Sequence, residues 1–195
     1  MTGRIDRLQK EYGVIVHWRA FPLHPETPQE GRLLEDLFKT SPEKIAGMLE
    51  HLQRTADDLG LPFTARTRTY NSRLAQELGL WATDKGKGDA FHMAVFQAYF
   101  AGGLNIGNHS VLLDLVRNVG LPVEEAEKIL YGRVYAEKVD EDWADSKLKG
   151  ITAVPTFIMG QHKLVGAQKY ESLANLVTLY GAIRTMNIVE WHREG

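Results

Sequence analysis

The sequence predicts an α/β fold in which a small sheet carries a large, all-helical insertion. Two stretches rich in β-branched and aromatic residues, 14–21 and 156–159, have the composition of strands. Between them, from about residue 41 to 149, the apolar residues recur at helical spacing. The chain of 195 residues is long enough for both parts. We therefore expect a discontinuous sheet domain, residues 1–40 and 150–195, and a helical insertion, residues 41–149.

A short helix is predicted before the first strand. Residues 2–12 place their apolar side chains on one helical face, and Gly13 follows at the position where helices commonly end. Residues 14–21 then begin as a continuous apolar run, which is typical of a strand buried on both faces in a parallel sheet. Pro22 ends this strand.

The insertion begins with a clear helix-start signal. Ser41 and Pro42 read as an N-cap followed by proline at the first helical position, and the apolar pattern continues to Gly60. Further helices are predicted near residues 74–81, 91–98, 111–119, 123–131 and 134–148. The segment is therefore expected to be a helical bundle.

A β-hairpin and a final helix follow the insertion. The strand 156–159, a turn at Gly160-Gln161 and the partner strand 162–165 form the predicted hairpin. Pro155 has no N–H to give to a ladder, so we expect it at the first position of the strand, where it displays the backbone of Val154. That arrangement suits the docking of an extended peptide. The apolar residues of the final helix are Leu173, Leu176, Val177, Tyr180 and Ile183.

Composition limits the function classes. The net charge of −2 gives no excess of positive charge that would attract nucleic acid or an anionic membrane, so neither is expected as a partner. The chain has no cysteine, which removes disulfides, thiolate catalysis and thiolate metal sites and favours a cytoplasmic protein. Its seven histidines show no metal-ligand spacing, so we predict no metal site and no cofactor.

Several motifs, in their order and spacing, resemble the DsbA-like family of thioredoxin-fold proteins, in its FrnE-type branch. They are Trp18-x-x-Phe21-x-Leu23-x-Pro25, Asn71-Ser72-Arg73-Leu74-Ala75, residues 98–106, Val154-Pro155-Thr156 and Gly166-Ala167-Gln168. The resemblance implies a thioredoxin-like fold, thiol–disulfide oxidoreduction and a substrate-binding loop formed by Ala153, Val154, Pro155 and Thr156, with a cis bond before the proline. It also implies an extended polypeptide or a glutathione-like thiol as partner.

The sequence departs from this family at its N-terminus. Family members begin with a strand and a Cys-x-x-Cys pair, soon followed by a glycine that aligns with Gly3. This chain starts at that point, so we interpret it as N-terminally truncated, assign no catalytic residue and predict no disulfide exchange. Whether Met1 is an internal methionine or a natural start stays open.

By the same resemblance, the first strand would lie in the middle of the sheet, between residues 14–20 and 156–159. An empty slot there would expose two rows of backbone donors and acceptors. We expect the flanking strands to pair directly, or another copy to insert a strand and form a homodimer. Poor solubility is the third alternative.

Two other functions stay open. The chain also resembles two groups of enzymes built on the same scaffold, the 2-hydroxychromene-2-carboxylate isomerases and the kappa glutathione transferases. The resemblance implies that these enzymes use glutathione and an N-terminal serine, and that serine would also fall in the missing segment. A non-enzymatic, chaperone-like module that binds unfolded peptide is the other alternative. An aromatic cluster in the insertion could line a substrate groove, although core packing is the simpler interpretation; its members are Phe91, Phe96, Tyr99 and Phe100.

Overall fold

The computed structural model describes residues 2–185, which divide into two compact units. The first unit contains the chain up to Leu23 and resumes at Asp145, and the second is His24–Ala144. The sequence places these boundaries at residues 40 and 150 instead. Residues 24–40 therefore belong with the helical unit.

Helices dominate the described residues, and the strands are short. The helices are α1 (Thr2–Tyr12), α2 (Leu34–Phe38), α3 (Pro42–Asp58), α4 (Arg73–Asp84), α5 (Gly88–Phe96), α6 (His109–Asn118), α7 (Val123–Gly132), α8 (Ala136–Leu148) and α9 (Tyr170–Leu179). A π-helical turn, Gln97–Ala101, extends α5. The strands are β1 (Arg32–Leu33), β2 (Arg68–Thr69), β3 (Thr156–Met159) and β4 (His162–Val165). β1 pairs with β2 and β3 with β4, both antiparallel.

The core of the first unit joins its two helices to its hairpin. Leu8 of α1 and Leu173 and Val177 of α9 are buried together, and Phe157 and Leu164 of the hairpin pack against them. In α1, the apolar residues lie on one helical face, and the helix ends before Gly13, which adopts a φ of +62°. The predicted first helix and hairpin are both confirmed.

The turn of the hairpin is held by a tyrosine from the C-terminal end of α9. Met159 pairs with His162, so Gly160 and Gln161 form the turn. The backbone N–H of Gln161 donates to the hydroxyl oxygen of Tyr180 at 2.8 Å, and that hydroxyl lies 2.8 Å from Nδ1 of His162. Gly160 has a φ of +54°, in the left-handed region that favours glycine.

The helical unit has a separate core, which contains the largest fully buried side chains. Trp81 and Phe91 are 1% and 0% exposed, and Leu112 and Leu130 pack with them. The helices predicted near residues 74–81, 91–98, 111–119 and 123–131 are confirmed, because each brings one face to this core. The α/β class with a helical insertion is confirmed as well.

The predicted first strand is wrong in its pairing and its burial. Residues 14–21 form no strand, and their side chains alternate between half-buried and exposed, with Ile15 80% exposed. Within residues 2–185 the backbone of residues 14–17 has no backbone hydrogen-bond partner. A β-strand is defined by its hydrogen bonds to a neighbouring strand. Among the described residues β3 pairs only with β4, so the expected direct pairing of residues 14–20 with residues 156–159 does not occur.

Two helical predictions also need correction. The final helix ends at Leu179, and Ile183 is 85% exposed, because Gly181 turns the chain with a φ of +84°. In α3, Ile45 is buried, whereas Met48 and Leu52, predicted on the same apolar face, are about half exposed.

Candidate functional site

The loop in front of β3 is fixed at both of its ends. The side-chain hydroxyl of Thr156 donates to the carbonyl of Ala153 at 2.6 Å. The backbone N–H of Gly166 donates to the carbonyl of Pro155 at 2.8 Å, which continues the pairing of β3 with β4 by one residue. The peptide bond between Val154 and Pro155 is cis.

Val154 is the residue that this loop presents. Its side chain is 44% exposed, and among the described residues nothing hydrogen-bonds its backbone N–H or C=O. In an antiparallel pair, successive residues direct their backbone groups alternately toward the partner strand and away from it. Since Pro155 faces β4, Thr156 directs its backbone groups to the opposite edge, and Val154, with its backbone unpaired, leads into that edge.

That edge continues along β3. The same alternation turns the backbone groups of Ile158 outward, and its side chain is 41% exposed. In the part of the chain that the structure describes, no third strand covers this edge. A row of unpaired backbone donors and acceptors is a template for the addition of an extended chain.

The chemistry available in this loop is binding, not bond exchange. Residues 153–156 contain no titratable side chain, and the hydroxyl of Thr156 is already engaged with Ala153. The chain has no cysteine anywhere. The groups placed together here can therefore hold a peptide backbone, but they cannot form a mixed disulfide.

The carboxylate most deeply buried in the helical unit is committed to a structural network. Glu77 is 0% exposed and accepts hydrogen bonds from Arg73 at 2.9 Å and from Arg133 at 2.6 and 2.9 Å. Burial alone would raise the pKa of Glu77, but the hydrogen bonds from these guanidinium groups outweigh it and lower that pKa. A charged, fully hydrogen-bonded Glu77 is not available as a general acid.

The aromatic cluster proposed from the sequence divides into two parts. Phe91 is fully buried in the core, whereas Phe100 is 41% exposed. Arg66 stacks on the exposed part, with its guanidinium carbon 4.1 Å from the ring centre of Tyr99 and 5.1 Å from that of Phe100. Its Nε and Nη1 are buried without a hydrogen-bond partner. Sequence reasoning missed Arg66, because no local pattern marks it.

Metal-binding and membrane-spanning features were searched over the described residues. Within them, no group of three or more His, Asp or Glu side chains could hold a metal ion. No helix in residues 2–185 is both long enough and apolar enough to cross a bilayer.

Comparison with known families decides the assignment. The model of the DSBA-like thioredoxin domain matches residues 1–178. The chain belongs to the DsbA-like thioredoxin domain family. An uncharacterized protein of Bacillus subtilis (strain 168), YwbO, is 30% identical over 158 residues, which are 79% of this chain and 76% of that protein.

Solved structures show the same DsbA-like fold. The probable DsbA oxidoreductase SCO1869 from Streptomyces coelicolor is similar with a TM-score of 0.81 and 24% identity, over 95% of this chain and 85% of its own. A 2-hydroxychromene-2-carboxylate isomerase is similar with a TM-score of 0.69 and 21% identity, over 92% and 86%. At 24% and 21% sequence identity, these similarities show a shared fold and do not by themselves show a shared activity.

Proposed function

We propose that this chain is a FrnE-type member of the DsbA-like family that binds an extended polypeptide at Ala153, Val154, Pro155 and Thr156. The observation that carries the proposal is the backbone of Val154, whose N–H and C=O have no partner among the described residues and which leads into the open edge of β3. An extended peptide would satisfy both groups by strand addition. Because such binding uses hydrogen bonds to the main chain of the peptide, we expect it to accept peptides of many different sequences.

The proposal includes the absence of disulfide exchange by this chain. Exchange requires a thiolate that attacks a disulfide and passes through a mixed disulfide, and the sequence contains no sulfur atom outside methionine. The zero cysteine count also supports a cytoplasmic location, which cell fractionation would test.

A pair of variants at Val154 tests the binding. Val154→Pro removes the backbone N–H, whereas Val154→Ala keeps it and removes only part of the side chain. With reduced, carboxymethylated α-lactalbumin as an unfolded probe, we expect saturable binding that Val154→Pro weakens by about tenfold, the loss of roughly one good hydrogen bond. Val154→Ala should bind within about threefold of the parent chain. Equal binding by parent and Val154→Pro would contradict the proposal, provided that both remain folded by circular dichroism.

Insulin reduction with dithiothreitol tests the chemical part separately. We expect the purified, metal-free chain to precipitate insulin at the rate of the reaction without protein. Acceleration above that rate would overturn the claim of redox inactivity and leave the binding claim standing.

A second candidate is the binding of glutathione at the same loop. A 2-hydroxychromene-2-carboxylate isomerase has a similar fold, and the sequence resemblance to such isomerases implies glutathione as a ligand. Glutathione is itself a short peptide, so the same backbone groups would bind it. Calorimetric titration of the chain with glutathione should then give saturable heat that Val154→Pro removes. Absence of heat at millimolar glutathione, with retained binding of the unfolded probe, would leave only the first candidate.

A further inference from the structure

A surface stripe on α3 is formed by Lys44, Gly47, His51, Thr55 and Asp58, with Met48 and Leu52 along one side of it, and all seven residues are exposed. Ile45 is buried, but Met48 and Leu52, within about 60° of it around the helix, are 47% and 46% exposed. Phe38, which precedes the helix, is 47% exposed. Apolar side chains grouped in this way on a surface mark a site of association.

The surface beside the stripe is open and shallow. A depression of about 610 Å³ there is lined by Phe38, Thr40, Lys44, Gly47, Met48 and His51. At Gly47, outside the backbone of α3 itself, no heavy atom lies within 4 Å of the place where a Cβ would stand. Helix backbones approach closely where such a small residue lies between larger ones.

The two ends of the stripe carry opposite charges. Lys44 lies in the first turn of α3 and Asp58 is its last residue. Asp58 follows Lys44 by 14 positions, which is nearly four full turns, so both lie on one face. Gly47, His51 and Thr55 lie between them at spacings of three and four. Within residues 2–185 neither Lys44 nor Asp58 has an ion-pair partner, whereas the neighbouring Asp57 accepts a hydrogen bond from Gln53.

We propose that α3 forms the interface of a two-fold symmetric dimer of this chain, with the two copies of the helix packed antiparallel about His51. In that register Lys44 of each copy faces Asp58 of the other. Gly47 faces Thr55, and Met48 lies beside Leu52. The stripe is thus self-complementary in charge and in size, which an isologous interface requires. The antiparallel arrangement also pairs opposite ends of the two helix dipoles.

The size of the stripe sets the strength of the dimer. A helix of 17 residues is about 25 Å long, and one pair of such helices buries less surface than a standard, stable interface. We therefore expect a reversible dimer that dissociates on dilution through the micromolar range. This interface is formed by the helical unit and is independent of the peptide-binding loop.

Charge reversal tests the register in the full-length chain. Asp58→Lys places two ammonium groups together at both symmetry-related ends, and Lys44→Glu places two carboxylates there. Each single variant should raise the dissociation constant at least about tenfold in sedimentation equilibrium, since two attractive pairs become repulsive. The double variant Lys44→Glu/Asp58→Lys restores both pairs and should return to within about threefold of the parent chain.

A matched control separates the register from a general effect of charge. Asp57→Lys makes the same change one residue away, about 100° around the helix and off the stripe, and should leave the dissociation constant within about twofold. A parent chain that stays monomeric up to about 1 mM overturns the proposal, since such a dimer would be weaker than any specific interface. So does a double variant no tighter than the single variants, or an Asp57→Lys as weak as Asp58→Lys.

Discussion

Replacement of Gly160 by alanine should destabilise the hairpin that carries the candidate loop. A Cβ at this position would lie 2.3 Å from the hydroxyl oxygen of Tyr180, so the tyrosine must move away. Its hydrogen bonds with Gln161 and His162 would then be lost, at a cost of about 0.5–1.5 kcal/mol each. The φ of +54° adds about 1–2 kcal/mol for a residue with a side chain. The total is roughly 2–5 kcal/mol.

Gly150→Ala is the matched control for this prediction. Gly150 has a similar φ, +60°, but a Cβ there would meet nothing within 4 Å, so only the backbone cost of about 1–2 kcal/mol should appear. Urea unfolding followed by circular dichroism gives both free energies, and hydrogen exchange of the Gln161 amide reports the local change. Equal losses of stability in the two variants, with unchanged exchange at Gln161, would refute the role assigned to Tyr180.

Three other predictions concern groups with defined partners. Glu77→Gln should lower the free energy of unfolding by about 3 kcal/mol in urea, because two guanidinium groups lose a buried partner. Glu11, whose pKa is lowered to about 2 mainly by the hydroxyl of Tyr170, should stabilise the chain fully above its ordinary pKa of 4.5 and progressively less below it. In acid titrations of unfolding, the stability lost by Glu11→Gln should therefore be greatest near pH 7, shrink as the pH falls from 4.5 toward 2, and fade only below pH 2. Thr156→Val should cost about 1 kcal/mol through the lost bond to Ala153 and should weaken binding of the unfolded probe.

Local signals in the sequence were sufficient for most helix ends. Gly13 ends α1, and Ser41-Pro42 begins α3, because the conformational freedom of glycine and the fixed φ of proline act within one or two residues. The strand expected over residues 14–21 depends on a partner elsewhere in the chain, and composition cannot supply one. The same limit hid the pairing of Arg32 with Thr69.

In the candidate site, too, the features set by neighbouring residues were predictable and those set by distant residues were not. Pro155 and the β-branched and aromatic run after it were enough to predict where β3 begins, whereas the binding of a peptide at this loop stays a prediction. Arg66 was not predictable, because its significance comes from stacking on Tyr99, which is distant in sequence. The hydrogen bond from the Gln161 amide to the hydroxyl of Tyr180 likewise joins two segments that share no sequence pattern.

The proposed peptide binding is separable from thiol chemistry, because the two would use different atoms of the protein. The open edge at Val154 is set by the register of β3 against β4, which is fixed in turn by the two-residue turn and by the bond from Gly166 to Pro155. None of these contacts involves sulfur. A DsbA-like chain without cysteine can thus present the open strand edge on which the proposed peptide binding depends, since the backbone geometry does not depend on reactive side chains.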